Sequence, residues 1–82
     1  MKHRVYNPDY AVHPRHTVRE TMTVLGIGVE DLASRSGLSL KTVKLILKGA
    51  KPIDDAVAAG LERATRIPRN VWLNLQRNYE KH

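Results

Sequence analysis

The sequence predicts an all-α fold of five short helices, and two observations carry this prediction. The chain has 82 residues, which is enough for one small domain with a modest core. Apolar residues recur at intervals of three and four in five segments, whereas no segment alternates with period two for long enough to predict a strand. We expect a single domain over residues 13–82, preceded by an N-terminal arm over residues 1–12 that has no regular period.

The first two predicted helices each end at a glycine. The first spans about residues 15–25, and the second is a short helix between Gly28, its expected N-cap, and Gly37. Glycine is common after a helix because it adopts the left-handed conformation without strain. The apolar stripes consist of Val18, Met22 and Leu25 in the first helix and of Val29, Leu32 and Ala33 in the second.

Capping residues predict where three further helices begin. Ser39 suits the N-cap of a third helix over about residues 40–48, and Asp54 that of a fourth over about residues 55–65. Pro68 is suited to the first turn of a fifth helix. The residues assigned to the apolar sides are Leu40, Val43, Ile46 and Leu47, then Val57, Leu61 and Ala64, then Val71, Trp72, Leu75 and Tyr79.

The charge balance favours a polyanionic partner. Fourteen Lys and Arg against eight Asp and Glu give a net charge of +6 with His neutral, which points to nucleic acid before an anionic membrane. The apolar runs are too short to span a bilayer, and the N-terminus lacks the apolar stretch of a secretory signal. Without cysteine, disulfides, thiolate metal sites and thiol nucleophiles are excluded. We therefore expect a cytoplasmic protein with no membrane partner.

The second and third helices have the arrangement of a helix-turn-helix motif, in which the second helix of the pair enters the DNA major groove. Residues 32–53 contain basic residues but no acidic one. At about 100° per residue, the third helix has an apolar side around Val43 and a cationic side about 100° to 200° away. A lysine-rich face is often merely solvated, but the turn and the missing acids favour DNA recognition. The residues expected to contact DNA are Arg35, Ser39, Lys41, Thr42, Lys44, Leu45, Lys48 and Lys51.

Some of these residues are expected to provide affinity for DNA and others to recognise its sequence. Lysines mainly contact phosphates, so sequence readout falls to the start of the helix, at Lys41, Thr42, Lys44 and Leu45. Leu45 lies among lysines, where it would pack poorly but could contact a thymine methyl group.

Several motifs resemble the HigA group of antitoxins, within the lambda-repressor-like (XRE) class of helix-turn-helix regulators. They are His13-Pro14, Leu32-Ala33, Gly37-Leu38-Ser39-x-Lys41-Thr42-Val43-x-x-Ile46-x-x-Gly49, Ile67-Pro68 and Trp72-Leu73-Asn74-Leu75-Gln76 with Tyr79. The resemblance implies a dimeric, five-helix repressor of a type II toxin–antitoxin module that binds a palindromic operator and a ribonuclease toxin. The chain departs from the group at Arg15-His16, where Gly-Glu is usual, and at Arg66, where glycine is frequent.

Two alternative functions remain open from the sequence. Tyr6-Asn7-Pro8-Asp9-Tyr10 and Ile67-Pro68 also resemble a branch in which the DNA-binding domain precedes a zinc peptidase-like domain. The other alternative is an interaction module that neutralises a toxin and binds DNA only weakly. The absence of acidic residues on the third helix argues against this interaction module.

The sequence does not predict an enzyme or a cofactor. No nucleophile elbow or phosphate-binding loop is present, and His13, His16 and Glu20 are too few to predict a metal site. A homodimer is expected, because two recognition helices about 34 Å apart match one turn of DNA. The candidate dimer residues are Val71, Leu73, Leu75 and Tyr79.

Overall fold

A computed structural model describes residues 13–81 of the chain, and within them all regular structure is helical. The five helices are α1 (Pro14–Leu25), α2 (Val29–Ser36), α3 (Leu40–Lys48), α4 (Asp55–Thr65) and α5 (Arg69–Glu80). The predicted all-α fold and the order of its helices are confirmed. The predicted arm over residues 1–12 lies outside the described residues. None of the described helices is long and apolar enough to cross a membrane.

Local signals in the sequence fix most helix ends. The Ser39 and Asp54 side chains accept hydrogen bonds from the third backbone N–H beyond them, as predicted for N-caps. Gly28 occupies the N-cap of α2, where its own N–H lies 3.5 Å from a carboxylate oxygen of Asp31. The prediction for Pro68 was wrong by one position, because it is the N-cap of α5 and not a residue of its first turn.

The core is built around Trp72, whose side chain is fully buried between α5 and the helices it packs on, α4 and α1. The other buried core side chains come from α1, α2, α3, α4 and the loops, and the partly buried Leu73 and Leu75 of α5 pack against them. Burying a side chain of this size is worth on the order of 3 kcal/mol, a large part of a small domain's stability. Four residues that were assigned to apolar sides are instead partly solvent-exposed, namely Leu25, Leu40, Val71 and Tyr79, at 43%, 37%, 44% and 37%.

A close approach of α4 to the turn between α2 and α3 holds the helix-turn-helix unit. Gly60 lies in the middle of α4, where an added Cβ would come within 3.0 Å of both the Ser36 carbonyl oxygen and the Leu38 side chain. A side chain at this position would require the Ser36 carbonyl or the Leu38 side chain to shift by a few tenths of an ångström. At the other end of the unit, the buried Gln76 side chain accepts a 2.9 Å hydrogen bond from the backbone N–H of Ile53. Gln76 thereby ties the loop after α3 to α5.

His13 joins three elements at the N-terminus of α1. Its Nδ1 accepts a hydrogen bond from the Arg15 backbone N–H, which makes it the N-cap of the helix. Its ring lies 4.5 Å from that of Tyr79 on α5, centroid to centroid, and its Nε2 lies beside Gly49 at the end of α3. Burial lowers the pKa of His13, and the nearby charges of Arg15 and His16 lower it further, while a backbone hydrogen bond with Gly49 opposes them.

We expect Arg66→Gly to stabilise the domain. Arg66 follows α4 with φ of 69°, the left-handed conformation that glycine adopts at the ends of α1, α2 and α3. A side chain in that conformation costs roughly 1–2 kcal/mol, part of which glycine returns through its larger unfolded-state entropy. The free energy of unfolding, measured in urea, should rise by about 0.5–1 kcal/mol.

The matched control for this substitution is Arg66→Ala, which removes the same exposed guanidinium but keeps the Cβ. It should bring no comparable gain. An equal gain in both variants would show that the guanidinium, and not the backbone conformation, is the source of the strain.

We expect the stability of the domain to fall as the pH drops from neutral through the range below about 6.5, the ordinary pKa of histidine. Because the pKa of His13 is lowered in the folded state, the unfolded chain binds the proton first, and the contribution of neutral His13 is lost as the pH falls. His13→Asn keeps a capping oxygen and cannot titrate, so its unfolding free energy should change less between pH 7 and 5.

The control is His16→Asn, which removes an exposed imidazole that caps no helix. This variant should retain most of the wild-type pH dependence. If His13→Asn and the wild type lost stability in parallel, the pH dependence would have to come from another group. Asp54 is not that group, because its pKa is already lowered by the backbone hydrogen bond from Val57 and it titrates at more acidic pH.

Candidate nucleic-acid interface

The outer face of α3, defined here as Leu40, Lys41, Lys44, Leu45 and Lys48, lines a shallow open depression on the surface. Its three lysines are exposed and Leu45 is half-buried. The opposite side of α3 carries Val43, Ile46 and Leu47 into the core. The helix is therefore amphipathic in the sense predicted, with lysines on the side that faces away from the domain. Leu40 was assigned to the apolar side, and the structure corrects this placement.

The lysines of the outer face are not neutralised by the described part of the chain. No carboxylate among residues 13–81 forms an ion pair with Lys41, Lys44 or Lys48. Lys51 differs, since its Nζ lies 3.5 Å from a carboxylate oxygen of Asp54 and its side chain is about one third exposed. Arg35 is exposed in the last turn of α2. The outer face of α3 thus groups three exposed lysines that have no ion-pair partner among the described residues.

The N-terminus of α3 is held by Ser39 and Thr42. The Ser39 hydroxyl accepts a 3.0 Å hydrogen bond from the Thr42 backbone N–H and donates at 2.8 Å to the Thr42 hydroxyl. The Thr42 hydroxyl therefore keeps its own hydrogen for an external acceptor. No acidic residue lies in the first turn of α3, so the positive end of the helix dipole is unopposed at this end of the outer face.

Two arginines of α1 hold the C-terminus of α3. The Arg19 guanidinium donates a 2.8 Å hydrogen bond to the carbonyl oxygen of Leu47. That of Arg15 lies 3.4 Å from the carbonyl oxygen of Lys48 and covers Gly49, where an added Cβ would collide with it. Cations at this end of a helix complement the dipole and occupy carbonyls that no backbone N–H reaches.

The end of α2 is held in a similar way from α4. Arg63 donates a 2.7 Å hydrogen bond to the carbonyl oxygen of Ser36. The Ser36 hydroxyl is buried and accepts a hydrogen bond from the Leu38 backbone N–H, which shapes the turn into α3. Sequence reasoning missed these three arginines, because the carbonyls they bind lie 27 to 33 residues away along the chain.

The candidate dimer residues lie on different edges of α5. Val71 and Tyr79 are partly exposed, at 44% and 37%, while Leu73 and Leu75 are half-buried and pack against the core. At about 100° per residue, Val71 and Leu75 fall on one side of the buried Trp72 and Leu73 on the other. The structure brings Val71 and Leu75 onto a common edge and separates Leu73 from them.

The comparisons with known proteins point to one kind of protein. No family model matches the chain, and no curated protein matches it. Among solved structures, a protein named as an antidote of a plasmid maintenance system from Nostoc punctiforme has a TM-score of 0.78 and 26% identity, over 85% of this chain and 77% of that one. An addiction module antidote protein of the HigA family from Coxiella burnetii has a TM-score of 0.77 and 26% identity, over 87% and 78%. In fold and in sequence, this chain is thus similar to antidote proteins that include a HigA-family member, the resemblance that its motifs predict.

Proposed function

We propose that this chain is a DNA-binding antitoxin of a type II toxin–antitoxin module. In this proposal it acts as a homodimeric repressor on a palindromic operator and binds a ribonuclease toxin. The antidote names of the two solved structures support the antitoxin role. The observation that carries the DNA-binding part is the outer face of α3, which presents three lysines without a described acidic partner.

The arrangement suits duplex DNA better than other anions. An α-helix fits the major groove, where the lysine ammonium groups reach phosphates on either side or the guanine edge. The three lysines extend along about two turns of α3. They can therefore contact a row of phosphates, whereas they do not surround a single small anion. With one Trp, three Tyr and no Phe in the chain, a platform for stacking single-stranded bases is not supported.

The candidate contacts on DNA fall into two groups. Lys44, Lys48, Lys51 and Arg35 are assigned to phosphates, with Lys51 contributing least because Asp54 holds it. Ser39, Lys41, Thr42 and Leu45, at the start and along the outer face of α3, are assigned to the base edges and adjacent phosphates. Electrostatic affinity from the first group should fall steeply with salt.

We expect Lys44→Ala and Lys48→Ala to weaken binding to all duplexes and to reduce its salt dependence. Each lost phosphate contact should lower the slope of log K against log salt by about 0.9. Fluorescence anisotropy over a salt series measures both quantities. The matched control is Arg69→Ala, which removes one charge from a side chain paired with Glu62 where α4 meets α5.

The control variant should keep the wild-type slope apart from a small effect of net charge. If the lysine variants and Arg69→Ala all changed affinity equally, binding would depend on total charge alone. The assignment of α3 as the recognition helix would then be wrong.

The proposed dimer places a second copy against the exposed edge of α5. Val71, Leu75 and Tyr79 lie within about 80° of one another on the helix and form an apolar strip beside the core. Leu73 would contact the second copy only if that copy also covered the side of α5 opposite Val71 and Leu75. A two-fold arrangement sets the two α3 helices about 34 Å apart, the length of one turn of DNA.

We expect Val71→Asp to prevent dimerisation while leaving the monomer folded, because Val71 is 44% exposed and the new charge would be buried only in the dimer. Sedimentation velocity at micromolar concentration, with and without a palindromic duplex, measures the change. Asn70→Asp adds the same charge at the neighbouring exposed position and should still dimerise. A wild type that remains monomeric on the duplex would contradict the dimer.

Two alternatives lead to different outcomes. A regulator that continues into a zinc peptidase-like domain would share the DNA-binding face but have no toxin, and its reading frame would continue beyond this domain. A toxin-neutralising module with weak DNA binding would still bind and neutralise its toxin after Lys44 is replaced. A short basic toxin gene in the adjacent reading frame would support the antitoxin over the regulator.

A further inference from the structure

The outer face of α3 carries two leucines that the core does not fully use. Leu40 is 37% exposed and Leu45 is half-buried, although both are large apolar residues on a nine-residue helix that supplies three other side chains to the core. Both line the same shallow depression as the three lysines. Both leucines therefore keep apolar surface exposed beside the lysines in the monomer, and a ligand that covers the outer face would remove this surface from water.

The geometry of the helix places the two leucines on opposite borders of the lysines. Taking Val43 as the origin, Leu40 lies at about 60° and Leu45 at about 200°, with the lysines between them at about 100° to 160°. When the middle of the outer face enters a groove, the two leucines lie toward the base edges of opposite strands, and the long lysine side chains extend to the phosphates. Along the helix axis the two leucines are about 7.5 Å apart.

Building on the DNA-binding function proposed above, we propose that Leu40 and Leu45 recognise the C5-methyl groups of two thymines, one on each strand. The C5-methyl of thymine is the apolar group that the major groove offers, and it projects from the base edge where a leucine facing that edge can reach it. Charge complementarity with the lysines fixes DNA as the occupant of this face. The leucines then contribute discrimination that lysines, as point charges on phosphates, do not provide.

The experiment removes the methyl groups and leaves every base pair intact. A randomised duplex library is selected on the full wild-type chain, and the enriched duplex is remade with deoxyuridine in place of thymine within a single half-site: in one strand, in the other and in both. Losing one buried methyl contact should weaken binding about fourfold. We expect this loss for each strand separately and a larger loss, about the product, for both.

Leucine variants then assign each methyl to its residue. The affinity of Leu40→Ala should not change when deoxyuridine replaces thymine in one strand of the half-site, and that of Leu45→Ala should not change for the other strand. Each variant should still bind more weakly when the remaining strand is substituted. Lys44→Ala is the control and should stay sensitive to both, since its loss is purely electrostatic. Helicity and unfolding curves show whether each variant is folded. The deoxyuridine measurements on the wild type do not depend on the variants.

The outcomes separate this inference from the proposed function. A wild type that selects a sequence but binds the deoxyuridine duplexes with unchanged affinity would overturn the methyl readout and leave DNA binding intact. Selected half-sites that lack thymine in either strand would overturn it as well. Failure to bind any duplex would remove the proposed function itself.

Discussion

The hydrogen bonds from arginine side chains to the ends of α2 and α3 are the interaction on which the candidate DNA face depends. A helix of nine residues is too short to be stable alone, and α3 has its C-terminal carbonyls bound by Arg15 and Arg19 of α1. Arg63 does the same for α2 from α4. Each guanidinium occupies backbone acceptors and complements a helix dipole. Together with the buried side chains of α3, which pack on α1 and α2, these bonds fix its orientation, from α1 directly and from α4 through α2.

This arrangement also explains how so basic a helix fits a small domain. Lysines clustered on one face repel one another, and no acid on the same helix offsets them. Three of the eight acids lie in the first turns of other helices, at Glu30 and Asp31 in α2 and at Asp55 in α4, where the helix dipole favours them. Since α3 itself carries no acidic residue, the charges on its outer face are all positive.

The positions of the helices could be predicted from the sequence because their ends depend on neighbouring residues. Ser39 and Asp54 bond to N–H groups three residues away, and Gly37 needs only its own left-handed conformation. The arginine contacts and the Gln76 contact to Ile53 could not be predicted, since each joins distant parts of the chain. Leu40 was misplaced for a related reason. Its angle of about 60° from Val43 lies at the edge of the apolar side, where the packing of other helices decides burial.

Lysine and leucine contribute differently to the proposed complex, and the difference follows from their physics. Lysine contacts with phosphates release counterions, so their contribution weakens as salt rises and is nearly the same for every sequence. A leucine packed on a methyl group gains its free energy from removing apolar surface from water, and salt does not screen this term. Raising the salt therefore weakens binding to all DNA but leaves the difference between a thymine-containing site and other sites largely unchanged. In the cell, where non-specific DNA competes for the same lysines, this unscreened difference is the part of the interaction that would direct the protein to its operator.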